Sequence, residues 1–217
     1  MTKTDDDTVA AGQPVPRHSA GPIVPVSAIE YAPADYFRPI DLLDLFPRPA
    51  PLDVDLGCGD GSFLVAMAKK HPEHNYLGTE RLFGRVRNTS RKTERAGLTN
   101  IRLLRIESAY VVQHLLPPAS VTRFYVLFPD PWPKRRHWPR RLIQPAFLDT
   151  ASATLMPGGE LCIKTDDADY FRAIEKAAAA SKDFARESWT EDLPTTDFER
   201  HYVAQGRVIQ SLRLTRR

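Results

Sequence analysis

A chain of 217 residues, 42% hydrophobic and 26% charged, can bury one sizeable core, and no stretch approaches the roughly 18 consecutive apolar residues of a membrane span. Net charge is only +3, but it is unevenly placed: the first 60 residues lean acidic, while 81–105 and 134–141 are rich in Lys and Arg, a local basicity that points to a polyanionic partner. Cys58 and Cys162 have no Cys or His neighbours at zinc-site spacing, so both read as reduced packing residues and no metal is expected.

The first residues, Met1 to Asp7, carry no apolar segment behind a basic cluster, so a cytoplasmic location is expected. Nine of the 19 prolines precede residue 52. The aperiodic mixture of Pro, Gly, Ala, Ser and Asp up to Ile29 reads as a mobile tail over 1–29, leaving 30–217 as a single domain. Tyr36 to Phe46 predicts a short helix interrupted at Pro39 and closed by Pro47. From Leu52 onward, short apolar runs alternate with amphipathic stretches of helical length. Strands are predicted at 52–56, 75–79, 101–105, 121–128 and 160–164, and helices at 61–70, 84–96, 108–115, 140–155 and 168–181. Pro72, Gly97, Pro117 and Pro157-Gly158-Gly159 act as stops. This order predicts an α/β fold, a mostly parallel sheet covered by helices. Two later extended runs, 184–189 and 206–214, are separated by a polar loop and predict an antiparallel hairpin at the sheet edge.

Leu52 to Ser62 is a strand running into a tight turn that opens a helix. Gly57, Gly59 and Gly61 let the backbone bend and approach a nucleotide-like ligand with no Cβ in the way. The third glycine of the dinucleotide fingerprint should stand at position 62, where this chain has Ser62. Asp55, just before the turn, would repel a pyrophosphate but accept hydrogen bonds from an ammonium group. That favours S-adenosylmethionine as cofactor. Glu80 ends the second strand, where a carboxylate can take both ribose hydroxyls. Glu107, beside Ser108, stands where it can accept from the adenine amino group, or equally where a carboxylate complements a helix N-terminus.

The fourth strand leads into Phe128-Pro129-Asp130-Pro131-Trp132-Pro133-Lys134-Arg135-Arg136-His137, a loop at the carboxyl edge of the sheet, where α/β folds bind ligands. Three prolines stiffen it and hold Asp130 and Lys134 in fixed directions. With Arg140-Arg141-Leu142-Ile143-Gln144-Pro145, Lys164-Thr165-Asp166 and Thr196-Asp197-Phe198-Glu199, this segment resembles the bacterial tRNA (guanine-N7-)-methyltransferase family from about Asp53 to the C-terminus. The resemblance implies a Rossmann-like class I methyltransferase with a seven-stranded sheet. It also implies methyl transfer to N7 of a guanosine in the tRNA variable loop, with tRNA as partner and a monomer or homodimer as the assembly. By the same resemblance Asp55, Glu80, Glu107 and Asp130 match cofactor-contacting positions, Asp130 also matches the catalytic one, and Lys134, Asp166, Thr196, Asp197, Phe198 and Glu199 match substrate-binding positions. The chain departs from the family's usual Glu at 55 and usual Asp at 107, keeping the acidic character at each.

Guanine N7 carries a free lone pair at neutral pH, so no general base is needed and His71 and His137 read as surface or loop contacts. Trp189 reads as core. Arg85, Arg87, Arg91, Lys92 and Arg95, with Lys134 to Arg141, are candidate phosphate contacts. Two other readings remain open: a different class I methyltransferase, and a non-catalytic tRNA-binding relative. Against the first, amino-group methylators tend to place two prolines before the aromatic of this loop, where the chain has Asp130-Pro131-Trp132. Against the second stand the intact acidic cofactor positions.

Overall fold

The computed structural model describes residues 27–189 and 191–217. The tail expected over 1–29 therefore lies mostly outside the described residues. Within them, Ile29 is buried and its carbonyl accepts from the Leu103 amide, 2.9 Å away.

Seven strands form one sheet: β1 Leu52–Leu56, β2 Asn75–Thr79, β3 Ile101–Leu104, β4 Val121–Leu127, β5 Leu155–Thr165, β6 Phe184–Glu187 and β7 Gln210–Arg216. Their order is β3-β2-β1-β4-β5-β7-β6. The first five run parallel, and β7 lies antiparallel between β5 and β6. The strand order reverses between β1 and β4, and that switch point opens a crevice at the carboxyl edge.

Period-2 alternation sorts each strand between two cores. Leu52, Val54 and Leu56 of β1, with Phe124 and Val126 of β4, face one apolar layer. That layer is completed by helices α5 (Pro145–Thr154) and α6 (Ala168–Ala180), and by a short helix α4 (Ser108–Tyr110) that continues as a π-helical turn to Leu115. Tyr76, Leu103 and Tyr125 share the other layer with Phe63, Leu64 and Met67 of α2 (Ser62–Lys70) and Val86 of α3 (Phe83–Arg95). Helices thus cover both faces.

Several predicted bounds shift for local reasons. The helix expected over 140–155 starts at Pro145, because the residue before a proline avoids helical angles and Gln144 is extended. Arg135–Arg140 instead forms a short 3-10 turn. The helix expected over Tyr36 to Phe46 is the single turn α1, Leu42–Leu45, N-capped by Asp41. The polar loop expected between the last two strands contains a helix, α7 (Asp197–Ala204).

Candidate active site

The glycine turn is held from below by two threonines that sequence reasoning did not single out. Thr79 Oγ1 accepts from the Gly57 amide at 3.0 Å and pairs with the Ser108 hydroxyl at 2.8 Å, tying β1, β2 and α4 together. Gly57, Gly59 and Gly61 have φ of 85°, 57° and 75°, left-handed values that glycine adopts freely. A Cβ at Gly57 would meet only open space, whereas one at Gly61 would meet the buried Thr89 side chain. The turn therefore presents Gly57 to a ligand and Gly61 to the protein.

Asp55 sits beneath this turn and is 3% exposed. Burial, with Asp60 and Glu80 adding negative charge, pushes its carboxyl up to about 7. No cation offsets it among the described residues, which is the mark of a carboxylate awaiting a positive partner. Asp60 is different: burial raises it, but bonds from Lys92 and Ser62 outweigh that and hold it below the ordinary range. Asp55, Gly57, Gly59, Phe63, Leu127 and Phe198 line one cleft. A buried, unpaired carboxyl group that a neighbouring cation would ionise, beside an open glycine backbone, fits the ammonium end of S-adenosylmethionine. Glu80, the residue after β2, is buried; it accepts from the Leu82 amide at 2.8 Å and meets Arg85 at 3.4 Å. Glu107 is exposed and caps α4, its Oε2 accepting from the Tyr110 amide at 2.9 Å, so one of its oxygens already serves the helix.

The second half of the site is the Asp130 loop. Phe128 and Trp132 bracket it with φ of 56° and 45°, a left-handed geometry that costs a non-glycine residue about 1–2 kcal/mol. Asp130 itself is exposed at the carboxyl edge. Charges from Asp130 and Asp166 both reach Tyr202 on α7, whose hydroxyl is raised first by burial and then by Asp166, so these two acids and α7 converge. Tyr202 also lies 5.6 Å from the Phe128 ring and 6.2 Å from the Phe198 ring, forming an aromatic patch the sequence reading missed.

The expected substrate residues come together, with internal partners. Thr196 caps α7 by accepting from the Glu199 amide at 2.9 Å, and Glu199 is anchored to Lys164 at 2.8 Å. Asp197 pairs with Arg200, and Asp166 with Arg207. Phe198 lies against Gly59, so α7 roofs the cleft. Three expected phosphate contacts are already engaged: Arg85 pairs with Glu80, Lys92 pairs with Asp60, and Arg141 is buried. Lys134, Arg135, Arg136 and Arg140 are exposed around Trp132 and Trp138. His137 packs edge-on against Trp132 at 5.7 Å. Trp189 follows β6 and packs on the second core, as its core reading required.

A switch-point crevice with a glycine turn, an orphaned carboxylate below it and an acidic loop beside it defines a class I methyltransferase. Residues 49–212 match the family described as "Putative methyltransferase". Among solved structures, an rRNA methylase from Streptococcus thermophilus shares the fold with a TM-score of 0.54 at 14% identity, covering 77% of this chain and 87% of that one. A chain from Streptococcus mutans in complex with SAH gives 0.50 at 12% identity, covering 77% and 89%.

Sequence likeness is more specific. The tRNA (guanine-N(7)-)-methyltransferase of Halorhodospira halophila is 40% identical over 180 residues, 80% of this chain and 78% of that protein. The chain belongs to the tRNA (guanine-N(7)-)-methyltransferase family. No helix among the described residues is long and apolar enough to cross a membrane.

Proposed function

We propose that this chain methylates N7 of a guanosine in cytoplasmic tRNA, with S-adenosylmethionine as donor. The observation that carries the reading is the buried, unpaired Asp55 beneath the open Gly57 backbone. It is joined, on the same sheet edge, by an exposed carboxylate on the strained Asp130 loop.

When bound, the cofactor supplies an electrophilic methyl group on a sulfonium. Asp55 receives its ammonium group, Gly57 and Gly59 admit the backbone of its amino-acid portion, and Glu80 faces the ribose, sharing its carboxylate with Arg85. Ser108 and Glu107 form the adenine end. The chain's main task is alignment, because N7 needs no deprotonation and well-oriented reactants gain on the order of 7–11 kcal/mol. Asp130 supports the positive charge that develops on the purine, a preorganised electrostatic role. N7 must stay free to react, so recognition moves to the other edges of the base, where Asp166 and the Thr196 to Glu199 turn accept or donate. The exposed cations from Lys134 to Arg140 hold the phosphates while the base is presented outside a stack.

The test is incubation of the chain with unmodified tRNA and labelled S-adenosylmethionine, followed by nucleoside analysis. Label in 7-methylguanosine is the expected product, and label in any other nucleoside, or none, refutes the reading. Asp130→Asn should lower kcat by about 10²–10³-fold, the effect of removing one preorganised electrostatic group, with a far smaller loss of cofactor affinity. An equal loss in Kd would make Asp130 a cofactor holder instead.

A further inference from the structure

Position in the chain groups Arg141 with the surface cations that precede it. Its environment sets it apart. Arg141 is 6% exposed, and its Nε donates to the Pro131 carbonyl at 2.7 Å. Its guanidinium carbon lies 4.6 Å from the Tyr170 ring centroid and 4.8 Å from that of Trp138, between two aromatic faces. Its own amide donates to the Trp138 carbonyl at 3.0 Å, closing the 3-10 turn. Tyr170 is fixed in turn, because its buried hydroxyl accepts from the Ile143 amide at 2.9 Å.

The backbone explains what this clamp does. Asp130 precedes a proline, which confines it to extended angles, and the Pro131 ring fixes its own φ. The remaining freedom lies in the peptide plane between Pro131 and Trp132, and Trp132 is in the strained left-handed region. The Arg141 bond is made to the carbonyl of that plane. The Tyr170 hydroxyl is raised first by burial, then feels Arg141 as a stabilising cation and Asp130 as an opposing anion, so both charges lie near it. A desolvated guanidinium whose partners are a carbonyl and two rings is a costly choice for stability alone.

We propose that Arg141 is a positioning residue for methyl transfer: it locks the Pro131–Trp132 peptide plane so that the Asp130 carboxylate keeps a fixed direction toward the target base. This rests on the role assigned to Asp130 above. It removes Arg141 from the phosphate-binding surface and gives it no contact with the reacting atoms.

A double-mutant cycle tests it, using the full chain, unmodified tRNA and S-adenosylmethionine. Arg141→Met keeps the apolar stem between the rings and loses the donor; its kcat should fall about 100-fold, the scale of a 1 Å misplacement of a reacting group, while the cofactor Kd and the tRNA Kd hold. Arg141→Lys, which keeps a cationic donor, should recover part of that loss. In an Asp130→Asn background, Arg141→Met should cost nothing further, because its effect passes through a carboxylate already removed. Multiplied losses in the double variant, wild-type turnover in Arg141→Met, or a parallel loss of tRNA affinity would each overturn the assignment. If Arg141→Met does not fold, the same cycle run with Arg141→Lys decides. A wild-type chain that leaves guanosine N7 unmethylated refutes the underlying reading instead, so the two failures are distinguishable.

Discussion

Asp55 makes the cofactor assignment measurable through pH. Its carboxyl is pushed from 3.8 to about 7 in the ligand-free protein, chiefly by burial. A ligand ammonium placed beside it favours the ionised form, so binding below about 7 must expel a proton. Between about pH 5 and 7, affinity for S-adenosylmethionine should then rise by up to tenfold per pH unit, each unit being worth about 1.36 kcal/mol, and level off above. Stability runs the other way. A carboxyl harder to ionise folded than unfolded leaves the ligand-free protein unpenalised below 3.8, and stability is lost as pH rises from there toward about 7. Over roughly three units the loss is at most about 4 kcal/mol. Asp55→Asn should therefore melt higher than the wild type at neutral pH while binding the cofactor far more weakly. Isothermal titration in buffers of different ionisation enthalpy counts the proton directly, with about one released near pH 6 in the wild type and none in Asp55→Asn. A Kd that stays flat from about pH 5 to 7 in the wild type, with no buffer-dependent heat, would refute the placement of a cation on Asp55.

The two kinds of turn glycine should separate in thermal melts. Gly61→Ala combines a left-handed φ of 75° with a Cβ placed 2.7 Å from the Thr89 Cβ. It should cost about 3 kcal/mol, or roughly 6–12 °C in Tm, of which Thr89→Ala recovers only the steric part. Gly57→Ala meets open space, so it should cost about 1–2 kcal/mol while weakening cofactor binding; equal melting of the two variants would sink the distinction. Lys164→Met strands the Glu199 carboxylate that anchors α7, leaving a largely buried acceptor unpaired at about 1–3 kcal/mol. Hydrogen exchange should then accelerate across α7 with the sheet unchanged, and uniform protection would show that α7 is held by other contacts.

The alternation of short apolar runs with helical stretches was enough to place five parallel strands, because strands buried on both faces read as continuous apolar segments. The glycine turn, Asp55 and the proline-flanked Asp130 were likewise legible, since each depends on chemistry packed into a few consecutive residues. Helix α7 was missed because it is only eight residues long and its apolar face amounts to the single i,i+4 pair Phe198 and Tyr202, too short a run to show a sustained period. A signal was nonetheless present: Thr196 followed three residues later by Glu199 is the pattern of a capping box. Arg141 and Lys92 were counted as phosphate contacts because residue type alone does not reveal burial or an acidic neighbour.

Sequence by itself determined the sheet, the turn that opens α2 and the acidic positions along the carboxyl edge, all properties of local spacing. Only the tertiary structure decided that Thr79 and Thr89 support the turn, that α7 roofs the cleft, and that a buried guanidinium clamps the loop carrying Asp130. Those contacts join residues far apart along the chain. Whether a side chain meets solvent, a ring or an opposite charge is set by which elements the sheet brings side by side, and no local pattern carries that information.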